Sequence, residues 1–420
     1  MPSTLDGITI LDLSTGGAAA LATMLLSDQG ARVIRVAAPD APAFRDGGFV
    51  IWDRGKERLS LDLDEAMGET AAAARFRELV GGADVLVEDF APSADRQRLG
   101  ITLTQPLVSQ AQVPIAYPSL VRQPVRNDYP WLLLREVGAG LVRVPCEDLG
   151  DSTQQSRLQW LRQDGLQLQA VAVGLGAAAQ TAVAHADAFD RLEVQLTDGP
   201  VPNAQQLQQL GELDSPLALC AIVPGDHIAG KQHPRTRVGY RANELVQLLP
   251  IVSECGPDVA MVMCAEVQQA LTPAALIAPA ELPLQLRLSL DDEATAPTWI
   301  TRALIQAAAW QAPLFVEPLI DLDRTMDGAS GLLDPLCNPR RAFETARVLT
   351  ALLEHVRPER FEVGPVQERI QMSGASAHLT VWPSGAVDET SAGRWFDLSS
   401  GSVSQRQMPV EGRGPVALLQ

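Results

Sequence analysis

At 420 residues, with 46% apolar and 20% charged side chains, the chain has room for two or three ordinary domains and a normal globular composition. Its formal net charge of −18 argues against a broad nucleic-acid surface, because neutralising phosphates takes an excess of Lys and Arg. The five cysteines, Cys146, Cys220, Cys255, Cys264 and Cys337, are scattered and form no CxxC pair, which suits a reducing compartment and supplies no metal framework.

The opening residues MPSTLDGITILDLS carry neither a basic leader nor an apolar stretch of signal length. No window approaches the roughly 18 unbroken apolar residues of a membrane span, so a cytoplasmic protein without a membrane partner is expected. GITILDLS reads as a buried strand, AAALATMLLSDQG as a helix ended by glycine, and ARVIRVAAP as a strand closed by proline. This is a β-α-β unit with parallel strands, as in a Rossmann-like domain. WDRGKERLSLDLDE follows, with basic side chains on both sides of a glycine and an alternating strand. The helix DEAMGETAAAARFRELVGG and the strand ADVLVEDF complete a further unit. Ligands in such sheets lie beyond the carboxyl ends of the strands, here near Ser14, Ala37 and Asp89.

In that order and at similar spacing, LDGITILDLS, ATMLLSDQGARVIRV, DRGKERLSLDL, ADVLVEDFAP and RLG resemble the class III CoA-transferases, the carnitine and bile-acid CoA-transferase group that includes acyl-CoA racemases. The resemblance runs over residues 5–100. It implies coenzyme A as cofactor, held by Arg54, Lys56, Phe90 and Arg98, and an acyl-CoA or other anionic small molecule as substrate. A second reading leaves Arg54 and Lys56 as solvated turn charges that shield an edge strand. The chain departs from the family in several places. Asp64 stands where a lysine usually meets a CoA phosphate, Ala37 and Ala38 replace a Glu and a polar residue, and Asp89 replaces an asparagine. The nearest counterpart of the nucleophile segment, YPWLLLREVGAGL, puts Leu132 at the attacking position, and a leucine cannot form the acyl anhydride of covalent catalysis. The resemblance therefore implies a transferase if active, and otherwise a degenerate subunit paired in a hetero-oligomer with a catalytic homologue.

From about residue 111 short apolar runs alternate with helical stretches: VPIAYPSLV, LVRVPC, LQAVAVG, RLEVQLT, LALCAIV, VAMVMC, LQLRLSL and LFVEPLI. Eight such runs fit a (β/α)8 barrel, about 250 residues in its usual form, with an open α/β sheet as the alternative. Function in a barrel sits at the carboxyl ends of the strands. That singles out Glu147, Asp198, Glu317 and Asp321 as candidate acid/base residues, against the reading that strand-end carboxylates cap the next helix. Glu317 interrupts an apolar strand, where an unpaired charge is costly. The loop DHIAGKQHPRTR gathers His227, Lys231, His233 and Arg235, a set suited to an anionic substrate or to a carboxylate-bearing partner; its histidine spacing specifies no metal.

The stretch FVEPLIDLDRTMDGASGLLDPLCNPRRAFETARVL weakly resembles the end of glycoside-hydrolase-like barrels, which makes a hydrolase acting on a sugar or anionic molecule an alternative function. The fourth strand ends in VQLTDG rather than Asn-Glu, so the usual acid of the large retaining clan is missing. Beyond residue 360, HLTVWPSGAV and RWFDLSSGSV read as an antiparallel β appendage in which Trp382 and Trp395 pack. The expected organisation is a Rossmann-like domain over 1–105, a (β/α)8 barrel over 111–357 and the β appendage over 361–420. A pseudoenzyme scaffold is the third functional reading.

Overall fold

The computed structural model describes residues 3–14, 17–37, 53–61, 71–88, 99–103, 108–109, 125–126, 129–213, 215–224, 236–255, 259–264, 271–279, 282–320, 330–364, 369–375, 377–385, 387, 392–404 and 414–420. The chain divides into two compact units, Met1–Ala91 and Pro92–Gln420.

In the first unit, β1 (Thr9–Asp12), β2 (Arg32–Ala37), β3 (Glu57–Ser60) and β4 (Val85–Val87) form a parallel sheet in the order β3-β2-β1-β4. Helix α1 (Gly17–Asp28) connects β1 to β2, and α2 (Ala71–Gly81) precedes β4. The central strands carry the apolar runs, because a parallel strand covered on both faces has no polar side to show. Ile10, Leu11, Val33 and Val36 are fully buried. The edge strand β3 alternates, as its sequence suggested, and is mostly exposed.

The second unit begins with β5 (Leu99–Thr102); β6 (Val108–Ser109) and β7 (Val125–Arg126) form a two-residue antiparallel pair. Strands β8 (Leu141–Pro145), β9 (Gln167–Val173), β10 (Arg191–Leu196), β11 (Leu217–Pro224), β13 (Ala260–Cys264), β14 (Leu284–Ser289) and β15 (Leu314–Glu317) follow β5 in a ring of parallel neighbours. The β10–β11 and β15–β5 pairings close it, giving an eight-stranded barrel. Strand β12 (Thr236–Val238) adds antiparallel to the end of β11. Helices α3 (Tyr129–Glu136), α4 (Ser152–Gln163), α5 (Ala177–Ala184), α6 (Ala204–Gly211), α7 (Ala242–Cys255), α8 (Ala296–Trp310) and α9 (Arg341–Val356) lie between or after the strands. Local chemistry starts several of them: Asp151 accepts from Thr153 N and Gln154 N ahead of α4, and Asn203 and Gln206 make a reciprocal capping box on α6.

The barrel starts earlier in the chain than the apolar runs suggest. The expected first strand, VPIAYPSLV at 113–121, lies outside the described residues. The first ring strand is Leu99–Thr102, a segment the sequence reading gave to the front domain. Its shortness and its glycine hide it, yet the glycine is required: a Cβ at Gly100 would overlap the ring of Phe315 on the neighbouring strand β15.

The appendage is a six-stranded antiparallel sheet of β16 (Arg360–Val363), β17 (Ile370–Ser373), β18 (His378–Trp382), β19 (Arg394–Asp397), β20 (Val403–Ser404) and β21 (Val416–Leu419), in the order β16-β17-β18-β21-β19-β20. Ile370, Met372, Leu379 and Val381 join the same apolar cluster as the barrel helices. Trp382 and Trp395 stack at 5.5 Å with 24° between their planes, both fully buried, so they pack as expected.

Candidate functional site

Two polar clusters stand out, one in each unit. In the first unit β1 delivers Asp12 to the carboxyl end of its strand, α1 supplies Thr23, β2 supplies Arg35, and the turn at 53–56 supplies Asp53 and Lys56. Lys56 Nζ lies 2.8 Å from Asp12 Oδ2, 2.8 Å from Thr23 Oγ1 and 2.9 Å from the Ala20 carbonyl. An ammonium has three donors, and all three point inward. Arg35 Nη1 approaches Asp12 Oδ1 at 3.0 Å, and Ser14 and Thr23 donate to the same carboxylate at 2.5 and 2.6 Å. Asp12, Arg35 and Lys56 have fully buried side chains. Burial pushes the Asp12 carboxyl up, but Lys56, Ser14 and Thr23 hydrogen-bond to the charged form and hold it below its ordinary value.

The glycine in this stretch has a conformational reason. Gly55 sits at a φ of 74°, and a side chain there would meet the Ser27 hydroxyl. On one side of it Lys56 is buried; on the other, Arg54 is exposed and pairs with Asp28 at 2.5 Å. Of the four residues that the resemblance assigns to coenzyme A, Phe90 and Arg98 lie outside the described residues. Arg54 offers a guanidinium on the surface, whereas Lys56 has no donor left for a phosphate.

In the second unit the barrel interior is charged. Gln169 on β9 and Gln285 on β14 exchange two hydrogen bonds of 2.9 Å. These strands stand opposite each other in the ring, so this amide pair crosses the barrel. Around it, Arg143 on β8 makes a bidentate pair with Glu193 on β10 at 2.5 and 2.8 Å, reaches Thr102 on β5 at 3.0 Å, and lies 3.5 Å from Glu317 on β15. Arg287 on β14 holds the other oxygen of Glu317. Gln169 and Gln195 donate to Glu193 at 2.8 and 2.9 Å. Arg143 also lies over the Phe315 ring, 5.5 Å from its centroid. Two arginines and two glutamates thus cancel in the space that branched apolar side chains usually fill.

The electrostatics follow from that geometry. Burial penalises the Glu193 carboxylate, but the charge of Arg143 and the hydrogen bonds from Arg143, Gln195 and Gln169 overcome it and hold the group below its ordinary value. Burial, with Arg143 beside it, lowers Arg287 to about 10. Glu317 is nearly buried and bridges both arginines. It is the strand-eight carboxylate that sequence singled out, placed as an ion-pair partner. Glu147 is exposed in the 3₁₀ turn Cys146–Gly150, and Asp198 is exposed and accepts a 3.4 Å hydrogen bond from Gln206. The structure brings neither of them to Glu317. Asp321, His227, Lys231, His233 and Arg235 lie outside the described residues. Asp292, after β14, accepts from Thr295 N and Oγ1 in the turn ahead of α8. Beside Glu147, Asp148 is raised to about 6 by burial and then by repulsion from Glu147 and Asp151. Among the described residues no group of His, Cys, Asp and Glu is placed to hold a metal ion, and no helix is long and apolar enough to cross a membrane.

Sequence reasoning missed Asp12, Arg143, Glu193 and Arg287. A signal for the barrel set was present: LVRVP, RLEVQL and LQLRLS set charged or amide side chains between buried apolar residues. Such alternation ordinarily marks a solvent-facing side.

Residues 5–107 match the family model of CoA-transferase family III. The matched segment is about a quarter of the chain; it takes in the whole parallel sheet of the first unit and runs on through β5 of the barrel. Among solved structures, a family 39 glycoside hydrolase from Bacteroides cellulosilyticus WH2 is similar over 77% of this chain and 81% of that one, with a TM-score of 0.51 and 12% identity. A calcium-binding mutant of Bacteroides uniformis beta-glucuronidase 2 aligns over 67% of this chain and 39% of that one at a TM-score of 0.35 and 10% identity. At such identities the first likeness is one of fold. No curated protein matches the sequence.

Proposed function

We propose that this chain is a CoA-transferase family III-related protein that handles an acyl-CoA without forming a covalent intermediate of its own. The match over residues 5–107 carries the reading. The non-catalytic part is supported by Leu132, which lies on α3 with half of its surface exposed and offers no carboxylate where the resemblance puts the attacking group. Asp12, the buried carboxylate of the front unit, is committed to a lysine, an arginine and two hydroxyls and is no free nucleophile. For coenzyme A, Arg54 fits a phosphate contact by exchanging Asp28 for the ligand, with Phe90 and Arg98 as further contacts; Lys56 does not fit one. Without a nucleophile the chain would work as the partner of a catalytic homologue in a cytoplasmic hetero-oligomer.

The test is calorimetric titration with CoA and acetyl-CoA, followed by hydroxylamine trapping and mass spectrometry. Saturable binding that Arg54→Glu weakens about tenfold, with no trapped enzyme acyl adduct, supports the proposal. A trapped carboxylate adduct, or no binding of either ligand, overturns it.

A second reading places chemistry in the barrel, supported by the fold shared with a glycoside hydrolase and by the position of Glu317 on the eighth strand. Against it, two arginines neutralise Glu317 and the Asn-Glu of the usual acid is missing. Hydrolysis of a nitrophenyl glycoside that Glu317→Gln abolishes, in a variant shown to remain folded, would establish it. A scaffold without ligand is what remains if both assays stay silent.

A further inference from the structure

We infer that the groove between α9 and the appendage sheet binds an anionic amphiphile, specifically a medium-chain carboxylate. The groove encloses about 370 Å³, at the small end of the roughly 300–1,000 Å³ of ligand sites. Its floor is apolar: Ala351 and Leu352 come from one face of α9, and Phe396 and Leu419 from β19 and β21. Arg347, His355 and Arg394 line it, and among the described residues no Asp or Glu does. With Arg347 paired to Glu344, the guanidinium left to meet an anion at this groove is that of Arg394.

The two arginines differ in what they are free to do. Arg347 is held by Glu344 through Nε and Nη2 at 3.0 and 2.6 Å, so that pair braces one wall. Gly401, at a φ of 71°, lies against this pair closely enough that a Cβ would stand 3.1 Å from Arg347 Nη2. Arg394, on β19, is exposed and makes no ion pair with any described residue. A planar guanidinium beside an apolar slot reads a carboxylate bidentately and leaves its tail to the floor. A purely polar anion would waste the floor, and a neutral apolar molecule would leave Arg394 unread. This reading is independent of the one for the front unit, since every residue in it belongs to Pro92–Gln420.

The probes are octanoate, its neutral isostere octanamide and the short acid acetate, titrated calorimetrically into the full chain. Expected are one site for octanoate, at least tenfold weaker binding of octanamide and of acetate, and about tenfold loss of octanoate affinity in Arg394→Gln. Ala351→Trp, an exposed helix position, should fill the groove and abolish octanoate binding while the melting temperature holds. If Ala351→Trp unfolds the chain, the Arg394→Gln titration still decides. Equal affinity for octanoate and octanamide, unchanged affinity in Arg394→Gln, or no single-site binding would each overturn the inference.

Discussion

The Lys56 ammonium sits 2.8 Å from the Asp12 carboxylate, and neither side chain reaches solvent. A basic residue that sequence offers as a phosphate contact is thereby an internal counter-ion. Removing the lysine still leaves Arg35, Ser14 and Thr23 on Asp12, so the loss is that of one charge-assisted hydrogen-bond partner, about 1.5–3 kcal/mol. Lys56→Met should destabilise the front unit by that order, and Asp12→Asn by more, since it takes the carboxylate from both Lys56 and the buried Arg35. Denaturant-dependent hydrogen exchange of peptides within residues 9–37 reads both effects.

Acid acts on the same pair. The Asp12 carboxyl is held below its ordinary value of 3.8, so the stability it contributes is complete above that value and is lost as pH falls through its lower, folded one. Front-unit protection should therefore begin to decline below about pH 4 and go on falling as the pH drops further. In Asp12→Asn that pH dependence should disappear, with a uniformly lower plateau.

In the barrel, Arg143 is the cation paired with Glu193 among the described residues, and both are buried. Arg143→Met should lower the stability of the second unit by about 3–5 kcal/mol, and Glu193→Gln placed on top should restore a large part. Guanidinium unfolding midpoints of the two single variants and the double variant give the coupling energy directly.

Gly100 and Phe315 test the close approach at the closing seam of the ring. Gly100→Ala forces its Cβ into the Phe315 ring, an overpacking cost of about 1–3 kcal/mol. Phe315→Leu in the same chain should relieve the clash, so the double variant should unfold later than the sum of the single losses indicates.

Asp148 runs opposite to Asp12. Its carboxyl is raised to about 6 by burial and by its acidic neighbours, so the folded state binds that proton more tightly than the unfolded chain. The associated stability is full below about pH 4 and is lost as pH rises past about 6. Asp148→Asn should raise the melting temperature at pH 8 and leave it unchanged at pH 4.

The order of elements was legible from local pattern. The glycine-ended helix α1, the proline-bounded strand β2 and the run of strand–helix alternations announce themselves in short windows, because periodicity and turns are local physics. So is the departure at Leu132, since the identity of a side chain needs no coordinates. The tertiary structure decided which way the polar residues face. Alternation along a strand says only that two sides differ. It cannot say whether the polar side meets water or the axis of a closed ring, and β8, β10 and β14 turn their charges to the axis. Likewise the destination of Lys56 depends on Asp12, Ala20 and Thr23, 33 to 44 positions away, and only folding makes them neighbours.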